Sequence, residues 1–141
     1  MGDAKANIRR WFEEIWNLRR FATIDEFWGP ATAVHDASPQ ASEVTQAKDF
    51  RAMAEDLLAA FPDLHMQIHE VIGEGNYAAL RFTATGTHRG VWMGVPATGR
   101  SFKIGGLALA EWNGDTLVRG WNNIDLLSLM TELGLLKPPG G

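Results

Sequence analysis

Residues 77–112 read YAALRFTATGTHRGVWMGVPATGRSFKIGGLALAEW, and this stretch decides the fold. Its first third alternates apolar side chains with others, and the apolar set is Leu80, Phe82 and Ala84. A period of two is typical of a strand with one buried face. Residues 102–112 predict a second long strand, and the glycine-rich middle contains a proline, so the chain turns there. Two long strands joined by a structured turn form the centre of a sheet.

The size and composition of the chain bound its class. With 141 residues we expect a single domain over residues 1–141 that buries roughly two-thirds of its unfolded surface. The apolar fraction of 45% supplies a core, and the lack of cysteine in the sequence excludes disulfides, thiolate metal sites and cysteine nucleophiles. A chain without cysteine fits a reducing compartment, so we expect a cytoplasmic protein.

The pattern of charges argues against several partners. A net charge of −4 does not suit nucleic acid, because phosphate binding requires a basic surface. Charged residues interrupt every apolar run in residues 1–16, which predicts neither a signal peptide nor a membrane span. His65 and His69 would lie about 13 Å apart along one strand, too far to share a metal. We therefore expect no nucleic-acid, membrane or metal partner.

Three amphipathic helices are expected in the first half of the chain. Apolar residues repeat at helical spacing over residues 8–19. A second, short helix begins at a capping-box pair, Thr23 and Glu26. A third helix carries its apolar stripe over residues 50–61 and ends before Pro62, which disfavours helical backbone in the preceding residue.

Strands dominate the second half of the chain. A short strand is predicted over residues 31–35, with a loop over 36–41, and longer strands follow over 64–72, 77–87, 101–112 and 116–125. Glycine-containing turns at residues 73–76 and 113–115 predict hairpins, and residues 126–133 predict a closing helical turn.

Leading helices followed by antiparallel strands are typical of an α+β fold. We expect the sheet to curl over the helices into a cone, with a kink or bulge at Gly105 and Gly106. The closed interior of such a cone suits an apolar ligand, and the six tryptophans of the sequence suit a flat organic one.

Four motifs carry a resemblance to a known family. They are FPDL at residues 61–64, GTHRG at 86–90, GVPATGR at 94–100, and WNNID at 121–125 ahead of Leu133 and Gly134. In order and spacing they resemble the SnoaL-like polyketide cyclases of the NTF2-like superfamily. The resemblance implies a cone-shaped α+β barrel, with N-terminal helices packed on a curved antiparallel sheet, and no metal or organic cofactor. It also implies intramolecular aldol ring closure, with one aspartate as acid/base.

The same resemblance implies a homodimer. We expect the dimer to form through the outer face of the sheet, where His65 and Gln67 fall together on one side of their strand.

Asp125 stands where the family's catalytic aspartate falls. Leu117, Trp121 and Asp125 share a strand face if the last strand is unbroken, which would place the carboxylate beyond an indole. Burial against aromatic surface raises the pKa of a carboxyl group into the range useful for proton transfer. The alternative is that Asp125 caps the helical turn over residues 126–133.

Three further residues each have a functional and a structural interpretation. His35 matches a histidine common in the family, and it either contacts substrate in the pocket or bonds within its loop. His88 either contacts substrate at the pocket rim or ties the hairpin loop in place. Arg81 either points inward to steady an enolate oxygen or forms a salt bridge on the surface.

Trp28, Trp121 and Asn123 complete the substrate-binding candidates. Trp28, on the short second helix, is either a lid or a core residue. Ring-closing relatives tend to place a His or Gln near the aspartate on the neighbouring strand, and this chain has neither there. Asn122 or Asn123 would have to orient the substrate carbonyl instead.

The leading hypothesis is a cofactor-free cyclase or isomerase acting on an apolar, carbonyl-bearing small molecule, with Asp125 abstracting an acidic α-proton. A hydratase or epoxide hydrolase on the same fold, with Asp125 activating water, is one alternative. A non-catalytic binder of a hydrophobic small molecule is the other, and a helix-capping Asp125 with an ordinary pKa would favour it.

Overall fold

The structure is a computed structural model that describes residues 3–38 and 41–137. Helix α1 (Ala4–Arg10) runs directly into a π-helical segment (Trp11–Asn17), and the other helices are α2 (Ala22–Phe27), α3 (Ala47–Ala60) and α4 (Leu126–Glu132). The strands are β1 (Trp28–Ser38), β2 (Ala41–Val44), β3 (His65–Glu74), β4 (Tyr77–Thr87), β5 (Ser101–Asn113) and β6 (Thr116–Ile124).

The predicted elements are largely confirmed. The ends of the four longer strands lie within two residues of the predicted ones, and the third helix ends before Pro62. The strand predicted over residues 31–35 is longer, because β1 continues through Ser38. Of the loop predicted over residues 36–41, residues 39–40 lie outside the described residues, and the remainder belongs to β1 and β2.

The strands form one open, curved sheet in the order β2-β1-β6-β5-β4-β3. Neighbouring strands are antiparallel except β1 and β6, which are parallel. The predicted α+β fold is confirmed. The prediction that all strands pair antiparallel is wrong for β1 and β6. Because β2 and β3 occupy opposite edges, α3 must carry the chain from one edge to the other, and this crossing leaves β1 alongside β6.

The second helix begins without the predicted capping box. Phe21 is the residue at its N-cap, and no side chain caps the helix there. Thr23 lies inside the helix, where its hydroxyl donates to Glu14 Oε1 at 2.7 Å and accepts from Arg20 Nη1 at 2.6 Å. The capping-box prediction is wrong because these contacts with the first helical segment engage the hydroxyl.

The central strand β4 shows the predicted alternation, since Leu80, Phe82 and Ala84 are all buried. The bulge predicted at Gly105 and Gly106 is wrong, because the pairing of β4 with β5 is continuous through both residues. Gly106 instead makes room for an aromatic ring: a Cβ atom there would lie 2.3 Å from Cζ of Phe82. Gly106 is required by this close packing.

Candidate functional site

A β-bulge in β6 decides which side chains face the interior. Trp112 of β5 pairs with Leu117, while the preceding Glu111 pairs with Arg119, so Val118 is an extra residue on β6. One extra residue reverses the faces of all residues that follow it. Leu117 is therefore buried, whereas Trp121 falls on the outer face with Arg119. The prediction that Leu117, Trp121 and Asp125 share a face is wrong for this reason.

Asp125 is exposed and caps helix α4. Its carboxylate accepts the backbone N–H of Ser128 at 3.1 Å and the hydroxyl of Ser128 at 2.6 Å. The hydrogen bond from the Ser128 hydroxyl lowers the pKa of Asp125 most, and the bond from the Ser128 backbone N–H lowers it further, so this pKa lies below its usual range. The prediction of a buried carboxyl group with a raised pKa is wrong, and the helix-cap interpretation is confirmed.

The cap leads to a prediction about stability. Asp125→Asn should leave the melting temperature nearly unchanged at pH 7, because Asn caps helices as well as Asp, whereas Asp125→Ala should lower it by a few degrees. A carboxyl group whose folded-state pKa is lowered stabilises the fold above its unfolded pKa, and this stabilisation is lost as pH falls through the folded value. The difference between wild type and Asp125→Ala should therefore shrink below about pH 4, in melts recorded from pH 7 to pH 3. An Asn variant as unstable as the Ala variant at pH 7 would contradict the cap.

His35 and Trp121 form a stacked pair on the outer face of the sheet. Their ring centroids are 5.5 Å apart, and the guanidinium of Arg119 lies 5.3 Å from the Trp121 ring. His35 Nδ1 lies 3.5 Å from a carboxylate oxygen of Glu43 on β2. The register that pairs His35 with Trp121 places this histidine on the outer face of the sheet, and it lines neither inner cavity.

Arg81 and Asn123 also face outward. Arg81 donates from Nε to Glu70 Oε2 at 2.7 Å and from Nη2 to Glu70 Oε1 at 3.0 Å. The salt-bridge interpretation of Arg81 is confirmed, and an inward role beside an enolate is wrong. Asn123 is exposed one position after the inward-facing Asn122, and it lines a groove on the outer face of the sheet instead of the inner cavities.

Trp28 is a packing residue. Its ring lies 6.3 Å from that of Trp11 and 5.8 Å from that of Phe50, and its Nε1–H donates to the carbonyl oxygen of Thr45 at 3.2 Å. The core interpretation is confirmed. A lid is not supported, because both its ring and its polar atom already have partners.

His88 is fully buried behind Phe61, whose ring centroid is 5.5 Å away. Its Nδ1 accepts the backbone N–H of Thr98 at 3.3 Å and lies 3.0 Å from the Thr98 hydroxyl. Since Nδ1 accepts a backbone proton, the neutral ring carries its own proton on Nε2. The predicted tie to the hairpin loop is confirmed, and His88 is absent from the cavity lining.

The concave side of the sheet encloses two cavities. The larger, of about 60 Å³, lies between the sheet, α3 and the segment that carries Trp92. The smaller, of about 30 Å³, lies beneath the first helix and reaches Trp112 and Trp121. Asn122 borders both. Small inward residues of β5 and β6 leave the space of the smaller cavity, namely Ala108, Ala110 and Gly120. None of the described residues that line either cavity has an ionisable side chain.

Three polar atoms at these cavities have no hydrogen-bond partner among the described residues. They are Nε1 of Trp16, Nε1 of Trp112 and Oδ1 of Asn122, all three buried. Native proteins leave few buried polar groups unpaired, because each costs about 1–3 kcal/mol. Trp16 and Asn122 border the larger cavity together, so it offers a ligand one N–H donor and one carbonyl acceptor. Sequence reasoning missed Trp16, and nothing in its apolar helical stripe distinguishes it from a core residue.

The described residues contain neither a metal-binding cluster nor a membrane-spanning helix. Among residues 3–38 and 41–137, no three His, Cys, Asp or Glu side chains group closely enough to hold a metal ion. Within these ranges no helix is both long and apolar enough to cross a bilayer.

A curved, open sheet packed on helices, with cavities on its concave side, defines a fold of the NTF2-like type. The model of the SnoaL-like polyketide cyclases matches residues 6–133. The chain therefore belongs to the SnoaL-like polyketide cyclase family. Comparison with curated proteins gives no match.

Solved structures of similar fold come from several bacteria. AclR of Streptomyces galilaeus, a proposed hydroxylase, is 28% identical with a TM-score of 0.79, covering 94% of this chain and 96% of its own. IdmH of Streptomyces antibioticus, a proposed polyketide cyclase, is 25% identical with a TM-score of 0.78, covering 94% and 99%. A proposed polyketide cyclase of Acidithiobacillus ferrooxidans is 25% identical with a TM-score of 0.79, covering 93% and 94%. Two different reactions are proposed for these relatives, so the fold alone does not define the chemistry.

Proposed function

We propose that this protein binds the carbonyl-bearing end of an apolar, polyketide-like molecule in the larger cavity and promotes its ring closure or isomerisation. The observation that carries this proposal is the pair of unpaired polar groups, Trp16 Nε1–H and Asn122 Oδ1, on a lining that is otherwise mostly apolar and has no ionisable side chain among its described residues. The family and the similar structures, named for polyketide cyclases, support an enzyme.

The two groups suit an enol and a carbonyl of one substrate. A 1,3-dicarbonyl compound enolises readily, so the protein has to select the enol rather than supply a strong base. Asn122 Oδ1 accepts the enol O–H, and Trp16 Nε1–H donates to the carbonyl oxygen that becomes negative as the new bond forms. The enol oxygen loses one proton and the new hydroxyl gains one, so the step is balanced. Holding both ends in one apolar site supplies the proximity.

A matched pair of probes tests the proposal. One is 1-phenylbutane-1,3-dione, which has an enol O–H and a second carbonyl, and the other is 4-phenylbutan-2-one, which has a single carbonyl. Calorimetry should show that Trp16→Phe raises the Kd of both probes about tenfold, whereas Asn122→Leu raises that of the diketone alone. Asn123→Leu, on the outer face, is the control and should change neither. Equal loss of both probes in Asn122→Leu would overturn the assigned role of Asn122.

Stability gives a second readout for Asn122. Because its Oδ1 has no partner in the free protein, Asn122→Leu should leave the melting temperature unchanged or raise it. A marked drop would show that the amide serves the fold instead of a ligand.

A non-catalytic binder is the second candidate function. The observation that favours it is the lack of any ionisable side chain among the described residues of the cavity lining, together with the exposed position of Asp125. Aldol ring closure of a 1,3-diketone that carries a further ketone in its chain, followed by NMR, separates the two. Acceleration that is lost in Asn122→Leu supports the enzyme, and tight binding without acceleration supports the binder.

We also propose that the protein forms a homodimer through the outer face of the sheet. The register places one residue from each of four adjacent strands in a row across this face: Ile72, Ala79, Leu109 and Trp121. With Leu107 these residues line a shallow groove of about 730 Å³, and salt bridges of Arg81 and Arg119 flank the row. Exposed apolar surface of this kind is typical of an interface.

A further inference from the structure

A second groove lies against the larger cavity. It runs between α3 and residues 90–93, and its volume is about 590 Å³. Ser38, Leu57 and Trp92 line both spaces, so the two adjoin, with the Trp92 indole between them. The inner cavity of about 60 Å³ has room for only a few water molecules. It admits only the carbonyl-bearing end of a ligand, and the rest must lie in the groove.

The wall of the groove is already built in the free protein. The backbone N–H groups of Arg89 and Gly90 donate to the carbonyl oxygen of Ala60 at 2.9 and 3.1 Å. A Cβ atom on Gly90 would lie 2.5 Å from the carbonyl oxygen of Ala59, so the loop can approach α3 this closely only with glycine. Beyond these contacts, Trp92 and Val95 close a tight turn with two backbone hydrogen bonds of 3.0 and 2.8 Å.

The lining of the groove is mostly apolar, and the charged groups among its described residues are carboxylates. Its apolar part includes Met53, Val91 and Met93, and its charged groups are Asp49 and Asp56. The two aspartates are seven residues apart on α3, which separates them by about 10 Å along the helix axis. Neither carboxylate has a salt-bridge or hydrogen-bond partner among the described residues, and no Lys, Arg or His there lines the groove. A carboxylate accepts hydrogen bonds and attracts cations, and it repels anions.

We propose that this groove is the outer subsite of the same ligand and holds a portion that carries hydroxyl or amino groups. The proposal rests on the proposed function, because the inner end of the ligand is the one held by Trp16, which is 2% exposed and has its Nε1 unpaired. The substrate class is thereby a neutral or cationic molecule with an apolar, carbonyl-bearing head and a donor-bearing tail. Substrates presented on a phosphate-bearing carrier are disfavoured, because the phosphate would lie near two carboxylates.

Charged versions of the same probe test the outer subsite. The two derivatives of 1-phenylbutane-1,3-dione that carry an aminomethyl or a carboxy group at the para position of the phenyl ring differ mainly in the charge of the tail. Calorimetry at low salt should show that the wild type binds the amine about tenfold more tightly than the acid, and added salt should reduce this preference. In Asp49→Asn/Asp56→Asn the preference should fall to within about twofold. The matched control, Asp25→Asn/Glu55→Gln, removes two exposed carboxylates that do not line the groove and should keep the preference.

An unchanged preference in the Asp49/Asp56 double variant, or an equal loss in the control, would overturn the subsite. The unsubstituted diketone carries no charged tail for the two aspartates to act on, so its response to Trp16→Phe separates failure of the proposed function from failure of the subsite. The Kd values of 4-methylbenzylamine and 4-methylbenzoate, compared in the same way, test the groove even when the diketone does not bind, because both compounds lack the carbonyl-bearing head. A preference for the amine that depends on Asp49 and Asp56 would support the groove in that case, and no such preference would overturn it.

Discussion

Phe82→Ala lowers the free energy of unfolding by about 3–5 kcal/mol, the loss expected when a fully buried phenylalanine is truncated. Phe82 is 0% exposed, and its ring lies 5.3 Å from that of Phe12 on the first helical segment. It occupies the space that Gly106 leaves on the facing strand, so the ring joins helix and sheet at the centre of the core. Urea unfolding followed by tryptophan fluorescence measures the change.

Two adjacent glycines provide the matched control. A Cβ atom on Gly106 would lie 2.3 Å from the Phe82 ring, so Gly106→Ala should cost about 1–3 kcal/mol. A Cβ atom on Gly105 meets nothing within 4 Å, so Gly105→Ala should be neutral or slightly stabilising. With Phe82→Ala already present, Gly106→Ala should lose most of its cost, because the clashing ring is gone. Equal effects of the two glycine substitutions would contradict the packing described.

Leu107→Glu/Leu109→Glu converts the proposed dimer to a monomer and raises its dissociation constant more than a hundredfold. Leu107 is 60% exposed and Leu109 is 40% exposed, and both lie centrally on the outer face. An interface across this face would bury four unpaired carboxylates, two from each copy, and each costs several kcal/mol when desolvated. Sedimentation velocity at micromolar concentration gives the oligomeric state.

Leu18→Glu is the control for the outer face, because Leu18 is 64% exposed and lies away from the sheet, at the end of the first helical segment. It should leave the dimer intact. A wild-type protein that sediments as a monomer, or dissociation by Leu18→Glu as well, would refute the interface.

Side-chain patterns that depend on near neighbours could be predicted from the sequence. The alternation in β4, the end of α3 before Pro62 and the motifs of residues 86–100 sufficed for the α+β class and the family. Each depends on local backbone preferences, which a short stretch of chain already contains. The stacking of Phe82 on Gly106 could not be predicted, because nothing within either strand shows which residues face each other.

The candidate site was decided by tertiary structure. Val118, the extra residue in β6, turns Trp121 and Asp125 outward and Asn122 inward. Whether a strand contains a bulge depends on the register that its partner imposes. The sequence of either strand alone does not show where the bulge lies. Asp125 was readable as a helix cap from its position before a leucine-rich run, a local signal that the structure confirms. The cavity that Trp16 borders is lined by residues of α3, α4 and five strands, so it exists only once these elements pack together, and the sequence alone could not reveal it.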